Sequence, residues 1–558
     1  MPPRAALRSL VLCVLCSFGA APLRAQASSL PDSTARAIDR VFNAWSNNDG
    51  PGCAVGVSRD GSPIVERGYG MANLETNTPI TPASIFHVAS VSKQFTAMAI
   101  MLLVHDGKLS VDDNIRKYIP EIPDYGTPIT IRHLLTHTSG LRDQWSLISL
   151  ERGRFDEDRI TEADVMDVVT RQKALNFTPG AEYLYSNTGF TLLGVIVKRV
   201  SGQSLREFAD TRIFKPLGMA HSHFHDDYTM LVPGRTSAYV RRGGAWHVSI
   251  PNYDTYGATN LFTTVGDLLK WEANLDQPRV GDPSIIAQMQ RPTPLTTGDT
   301  SYYGFGLTLA TYRGLDVVEH NGADAGYRTY TGRFPGHGVA ITVLCNAGSA
   351  NTTMLARGVA DAVLAGSFPK QVAEAVPQGV ALSRDQLERR AGVYVQPTTL
   401  EVVELGVHDG KLAVKQGQNY GPTFVPLDDR RFRTEGQPFE ITFADGEHAG
   451  FTRRPVAGRP TVRFERREAT ALSPKALAAF AGSYASEELG GTIYRVTATD
   501  STLEFRTGTS NPVVTRPVFA DTFVGQGYTI QFVRSHGAVT GFEVTNGRMR
   551  RVGFQRTR

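Results

Sequence analysis

A serine hydroxyl becomes a useful nucleophile only when a neighbouring group takes its proton. The 558-residue chain has no G-x-S-x-G elbow and no H-E-x-x-H motif, but it carries S-x-x-K twice. One copy is Ser90-Val91-Ser92-Lys93, the other Ser367-Phe368-Pro369-Lys370. On a helix this spacing stacks the Lys93 amine beside the Ser90 hydroxyl, one turn apart. An extended Ile85-Phe86-His87 precedes Ser90 and a helical run over 93–104 follows it. Ser90 therefore stands at a helix start, where the dipole favours developing negative charge. Pro369 makes the second copy a poor helix start. A lysine can serve as base if burial lowers its pKa from about 10.4 towards neutrality.

Such a lysine needs polar groups to orient it, shuttle its proton and meet a substrate. Tyr185-Ser186-Asn187 is the only Y-x-N in the chain, and His320-Asn321-Gly322-Ala323 closes a strand-like run. Each residue also has a plain structural reading. Ser90 could be a helix N-cap, Tyr185 a core tyrosine, Asn187 the cap of a helix starting at Thr188, and His320 an edge histidine. His133 and His137 read as an amphipathic helix end rather than a metal pair. His221, His223 and His225, with Asp226 and Asp227, read as a solvated loop rather than a metal site. No metal and no cofactor is expected.

The elements that must position these residues alternate. Residues 32–46 have helical spacing, and strand-like runs at 53–57 and 63–69 flank the turn Arg59-Asp60-Gly61. Helical runs follow at 93–104, 131–135, 163–171 and 190–200, and strands resume at 317–320, 328–334 and 339–344. Strands at both ends with helices between imply an α/β unit: one sheet closed by the chain's return, an all-helical lobe, and a cleft between them. Further on, Ala381-Leu382-Ser383 through Tyr394 recurs as Ala471-Leu472-Ser473 through Tyr484. Each copy is a short helix followed by short strands broken by turns such as Asn546-Gly547. The expected organisation is a signal peptide over 1–27, a catalytic domain over 28–370, a linker over 371–380, and two antiparallel β-barrel repeats over 381–468 and 469–558. The linker marks the barrels as units the core can fold without.

Arg4 and Arg8 ahead of the apolar run 10–20, with small residues after it, are the order of a cleaved secretory leader. The chain is thus expected in the periplasm or secreted, with no membrane span. Of the two cysteines left in the mature chain, Cys53 and Cys345 read first as buried thiols. A cross-strand disulfide is the alternative an oxidising compartment permits. A net charge of +4 against 112 charged side chains gives no reason to expect nucleic acid as partner.

The three motifs together resemble the S-x-x-K, Y-x-N and K/H-x-G set of the serine β-lactamase and penicillin-binding family: class C β-lactamases, D,D-carboxypeptidases and D-aminopeptidases. Supporting stretches are His133-Leu134-Leu135-Thr136-His137-Thr138-Ser139-Gly140-Leu141, Tyr303-Gly304-Phe305-Gly306 and His320 through Gly326. The likeness covers about residues 30–365. It implies a class C β-lactamase-like antiparallel sheet flanked by helices plus an all-helical lobe, with lipocalin-like barrels behind. It also implies the roles: Ser90 is acylated, Lys93 takes its proton, Tyr185 shares base duty and protonates the leaving group, and Asn187 holds Lys93 and the substrate amide. The backbone N–H groups of Ser90 and Ala323 would form the oxyanion hole, with Asn321 and Gly322 beside the substrate. His320 stands where β-lactamases carry lysine, so a charge titrating near pH 6.5 replaces a permanent one. The implied substrates are D-amino-acid peptides, amides or esters, cell-wall peptides among them. A β-lactamase or carboxylesterase is the alternative enzyme, and a catalytically silent binding protein the alternative class.

Overall fold

A computed structural model describes residues 30–153, 158–369, 379–417, 419–435, 439–446, 449–455 and 461–557. The leader expected over 1–27 and most of the 371–380 linker lie outside the described residues.

Six antiparallel strands form the central sheet. Across it they run Thr308–Tyr312, Leu315–Asp324, Tyr327–Phe334, Val339–Cys345, Cys53–Arg59 and Ser62–Tyr69. The chain's return thus closes the sheet, with its last strand beside its first. Period-2 alternation sends Cys53, Val55 and Val57 to one face. There they join Ile341, Val343, Ile38, Phe42 and Val359 beneath the helices Asp32–Val41 and Thr352–Val363. Gly56 points the other way, and a Cβ there would lie 3.1 Å from Val265 and Leu269 of the helix Val265–Asp276. Its lack of a side chain lets that helix lie on the sheet.

Cys53 and Cys345 are in-register partners on neighbouring strands, and their sulfurs are bonded. The buried-thiol reading is therefore corrected. Sequence shows two apolar strands but not that they pair, and pairing is what brings the cysteines together.

The helical lobe is built around Ser92–His105, buried from Ser92 to Leu103, and Asn187–Ser201, which packs against it. At the facing edge of the sheet, Thr308–Tyr312 pairs only with residues 315–319 of the next strand. Residues 320–324 are left as an open edge towards the lobe.

The two repeats are closed eight-stranded barrels, Gly392–Val395 to Val462–Arg467 and Gly482–Ser486 to Met549–Arg556. Their shared sequence has a shared use: Tyr394 donates to the Arg390 carbonyl (2.8 Å) and Tyr484 to that of Phe480 (2.7 Å). The first barrel has its own core, including Leu387, Tyr394, Phe424 and Phe443. The second shares a continuous apolar core with the helical lobe. Arg142, 2% exposed, crosses that interface to Glu488 (2.6 Å) and to the carbonyls of Arg550 and Arg551 (both 3.0 Å). The second barrel is therefore packed integrally on the helical lobe, where the linker alone suggests a unit apart.

Candidate active site

Ser90 lies in a 3-10 turn, Ala89–Val91, immediately ahead of the helix Ser92–His105. Ala89 has φ 49°, a left-handed conformation that costs a non-glycine residue about 1–2 kcal/mol. The turn is clamped in place: Ser92 donates to the Ala89 carbonyl (2.6 Å), and Thr329 of the sheet donates to that of Val88 (2.8 Å). Gly322 lets the sheet edge come this close. A Cβ there would sit 2.5 Å from the Val88 oxygen and 3.0 Å from the Ala89 side chain.

Lys93 is fully buried, and its Nζ meets three oxygens: Ser90 Oγ at 3.1 Å, Asn187 Oδ1 at 2.9 Å and the Ala258 carbonyl at 2.7 Å. Two of these can only accept. A neutral amine would satisfy them with its two protons and turn its lone pair to the serine hydroxyl. Burial, seconded by the nearby Arg548 cation, holds the Lys93 pKa well below its ordinary value; Asp143 and Asp324 oppose the shift. The arrangement favours the form that can take a proton from Ser90.

Asn187 cannot present its other face to Lys93. Its Nδ2 donates to Asp143 Oδ2 (2.9 Å), and its backbone N–H donates to the same oxygen (2.7 Å). Asp143 also caps the helix Gln144–Arg152 through the N–H groups of Trp145 and Ser146. One buried carboxylate thereby fixes two helix starts and the amide that orients the lysine. Asn187 is the first residue of its helix and caps nothing with its side chain, so the capping alternative does not hold.

The Lys93 Nζ lies 4.8 Å from the centre of the Tyr185 ring. The Tyr185 hydroxyl is buried and faces Ser90. Burial raises its pKa above the ordinary value, and Ser90 is the chief group opposing that rise. His137 packs on the ring at 4.2 Å, and its Nδ1 accepts from the Ser186 N–H (3.2 Å). It thus holds the tyrosine loop in place, and it lies beyond the end of the helix Ile131–Leu135. His133 accepts from the Thr130 N–H in a capping box.

His320 is 3% exposed. Burial and the Lys93 charge lower its pKa to about 3, so it is neutral at physiological pH. Its Nδ1–H donates to the Asn321 carbonyl (2.6 Å), which leaves Nε2 to accept from the Tyr303 hydroxyl (3.0 Å). The titration near pH 6.5 expected from its residue type is therefore absent, because the imidazole is desolvated. Asn321 and Ala323 are exposed on the open edge, with Ala323 paired across to Arg328.

Charge at the mouth of the site comes instead from Arg548, on the Asn546-Gly547 turn of the second barrel. Its guanidinium carbon stands 5.0 Å over the Tyr185 ring, its side chain is exposed, and its carbonyl accepts from the Asp143 N–H (3.2 Å). Asp143, Ala258, Arg548 and Asp324 were missed from sequence. Only Asp143 left a local signal, as an acidic residue just before a helix. His223 lies in the short strand His223–Phe224 and stacks on Phe262, and His225 is buried against the same ring, so the solvated-loop reading is corrected there: the strand pairing with Leu261 and Phe262 draws these histidines inward. Among the described residues no group of three or more histidine, cysteine or acidic side chains is placed to hold a metal ion.

An open sheet edge, a serine on a helix-leading turn and a buried lysine beside it define a serine hydrolase. Residues 38–365 match the Beta-lactamase family, and the chain belongs to it. The chain is 30% identical over 347 residues to the D-aminopeptidase of Gluconobacter oxydans (strain 621H), covering 62% of this chain and 64% of that one. It is 31% identical over 310 residues to Penicillin-binding protein 4* of Bacillus subtilis (strain 168), covering 52% and 67%. The match spans between 53% and 65% of the D-aminopeptidases from G. oxydans, Cereibacter sphaeroides and Brucella anthropi. Among solved structures, the octameric penicillin-binding protein homologue from Pyrococcus abyssi shares the fold with TM-score 0.55 at 24% identity, covering 77% of this chain and 99% of its own.

Proposed function

We propose that the protein is an exported hydrolase that cleaves D-amino-acid peptides, amides or esters through an acyl-enzyme on Ser90. The observation that carries this reading is the Lys93 amine, 3.1 Å from Ser90 Oγ, with its other two partners able only to accept. Lys93 takes the serine proton as Oγ adds to the substrate carbonyl. The N–H groups of Ser90 and Ala323 hold the oxyanion. The proton passes by way of Tyr185 to the leaving amine or alkoxide as the scissile bond breaks. Water then adds to the acyl carbonyl, gives up its proton by the same route, and frees Ser90.

Relatives named D-aminopeptidase support substrates whose acyl half is a D-amino acid. A neutral His320 removes the cation expected in a β-lactamase at that position, which argues against β-lactam hydrolysis. Arg548, over the ring that serves the leaving group, suits a leaving amino acid that ends in a carboxylate. The disulfide fits an oxidising compartment, in agreement with export. The test is turnover of D- and L-alanine p-nitroanilides beside a chromogenic cephalosporin. Preference for the D-anilide is expected; preference for the cephalosporin or the L-anilide would overturn the reading.

A further inference from the structure

Asp324 follows Ala323 on the open edge, and its carboxylate is 14% exposed. Buried charges are as a rule paired with an opposite charge. This one is not. Its Oδ2 accepts from Thr259 Oγ1 (2.9 Å) and its Oδ1 from the Tyr253 hydroxyl (3.2 Å), both neutral donors. His87 Nε2 approaches to 3.8 Å, but His87 is wholly buried and held neutral, with its pKa lowered to about 3. Among the described residues no lysine or arginine forms an ion pair with Asp324. Arg328 of the neighbouring strand acts on Asp324 electrostatically but forms no ion pair with it, and its Nη1 donates to the carbonyls of Ala325 and Tyr327. A chain of donors, His87 Nε2–H to Thr259 (3.2 Å) and Thr259 to Asp324, fixes the carboxylate in one orientation.

Its place is set by the reaction. Thr259 directly follows Ala258, whose carbonyl holds Lys93, and Asp324 directly follows the residue proposed to bind the oxyanion. Adjacent Cα atoms lie about 3.8 Å apart, and an α-amino nitrogen lies about 2.5 Å from its own carbonyl carbon. A donor that puts its carbonyl oxygen on the Ala323 N–H thus carries its α-amino group to within reach of the next side chain.

We infer that Asp324 is the specificity residue that pairs with the free α-ammonium of the acyl-donor D-amino acid. The inference rests on the D-amino-acid reading above and narrows it to substrates with an unblocked N-terminus. Lys93 and Arg328 act on the carboxylate only at a distance, and its ion-pairing position is left for the substrate's ammonium. Burial without a partner also raises its pKa to about 6, against the opposing Thr259, Tyr253, Lys93 and Arg328. Free-amine substrates should therefore lose kcat/KM below about pH 6, and N-acetylated ones should not share that loss.

The test compares D-alanine p-nitroanilide with its N-acetyl derivative on the full-length protein, in wild type, Asp324→Asn and Asp324→Glu. Wild type is expected to prefer the free amine. Asp324→Asn should cut that preference about ten- to a hundredfold, the loss of one charge-assisted hydrogen bond. Asp324→Glu, which keeps the charge, should retain more of the preference than Asn does, and this comparison holds if either variant is less stable. A wild type that favours the acetylated substrate overturns ammonium recognition and leaves the D-amino-acid reading standing; one that cleaves neither overturns both. A wild type that favours the free amine while Asp324→Asn keeps the full preference overturns the role of Asp324 alone.

Discussion

Replacing Arg548 by alanine removes a cation contributed by a different domain from the one that carries the nucleophile. The Arg548 guanidinium carbon is 5.0 Å from the Tyr185 ring centre and Lys93 Nζ is 4.8 Å from it, so the two charges lie no more than about 10 Å apart. At that distance and an effective dielectric of about 20, their repulsion is roughly 1.7 kcal/mol, a little over one pH unit. Arg548 is exposed, and screening reduces this to about half to one unit. The sign follows from which form is penalised. A nearby cation disfavours protonated Lys93 and lowers its pKa, so removing that cation raises it. Only neutral Lys93 can accept the serine proton. The acid limb of kcat/KM for an uncharged ester should therefore move up by about half to one pH unit in Arg548→Ala and stay in place in Arg548→Lys. Profiles taken at low and at 1 M salt should differ more in wild type than in the alanine variant. An acid limb that stays put or moves down in Arg548→Ala would refute the electrostatic link between barrel and lysine.

Asp143→Asn should shift the same limb the opposite way, since Asp143 raises the Lys93 pKa. It should also lower kcat about ten- to a hundredfold: Oδ2 takes both Asn187 donors and Oδ1 the N–H groups of Trp145 and Ser146, and an amide must turn its NH2 onto one of those pairs. His320 should show no titration between pH 5 and 8 in histidine NMR, assigned with His320→Asn. Its folded pKa is depressed to about 3, so it stays neutral throughout that window. Losing the Cys53–Cys345 bridge, which closes a separation of 292 residues, should cost up to about 5 kcal/mol by chain entropy. Denaturant midpoints of the Cys53→Ala, Cys345→Ala double variant would measure that loss.

What was legible in sequence was what spacing alone encodes. Ser90 and Lys93 meet because three residues on a helix are one turn, and Tyr185, Asn187 and His320 were found because their motifs are short and local. The strands at 53–57 and 339–344 were legible as apolar runs, but their pairing was not, so the disulfide stood only as the alternative to two buried thiols. Asp143 escaped because its work depends on two helix starts meeting in space. The Asn546-Gly547 turn was read as a turn, yet no local pattern says that the next residue, Arg548, reaches Tyr185. His320 does lie beside Tyr185 and Tyr303, but the charge expected of it is absent, since its protonation is set by burial rather than by residue type.

Intact-mass analysis after exposure to a fluorophosphonate, with the adduct mapped by peptide sequencing, tests the central claim most directly. Wild type should gain a single adduct on Ser90, Lys93→Ala should label at least about a hundredfold more slowly, as expected when a general base is lost, and Ser90→Ala should not label at all. An adduct on Ser90→Ala, or one found on Ser367 in the wild type, would contradict the assignment of Ser90 as the nucleophile.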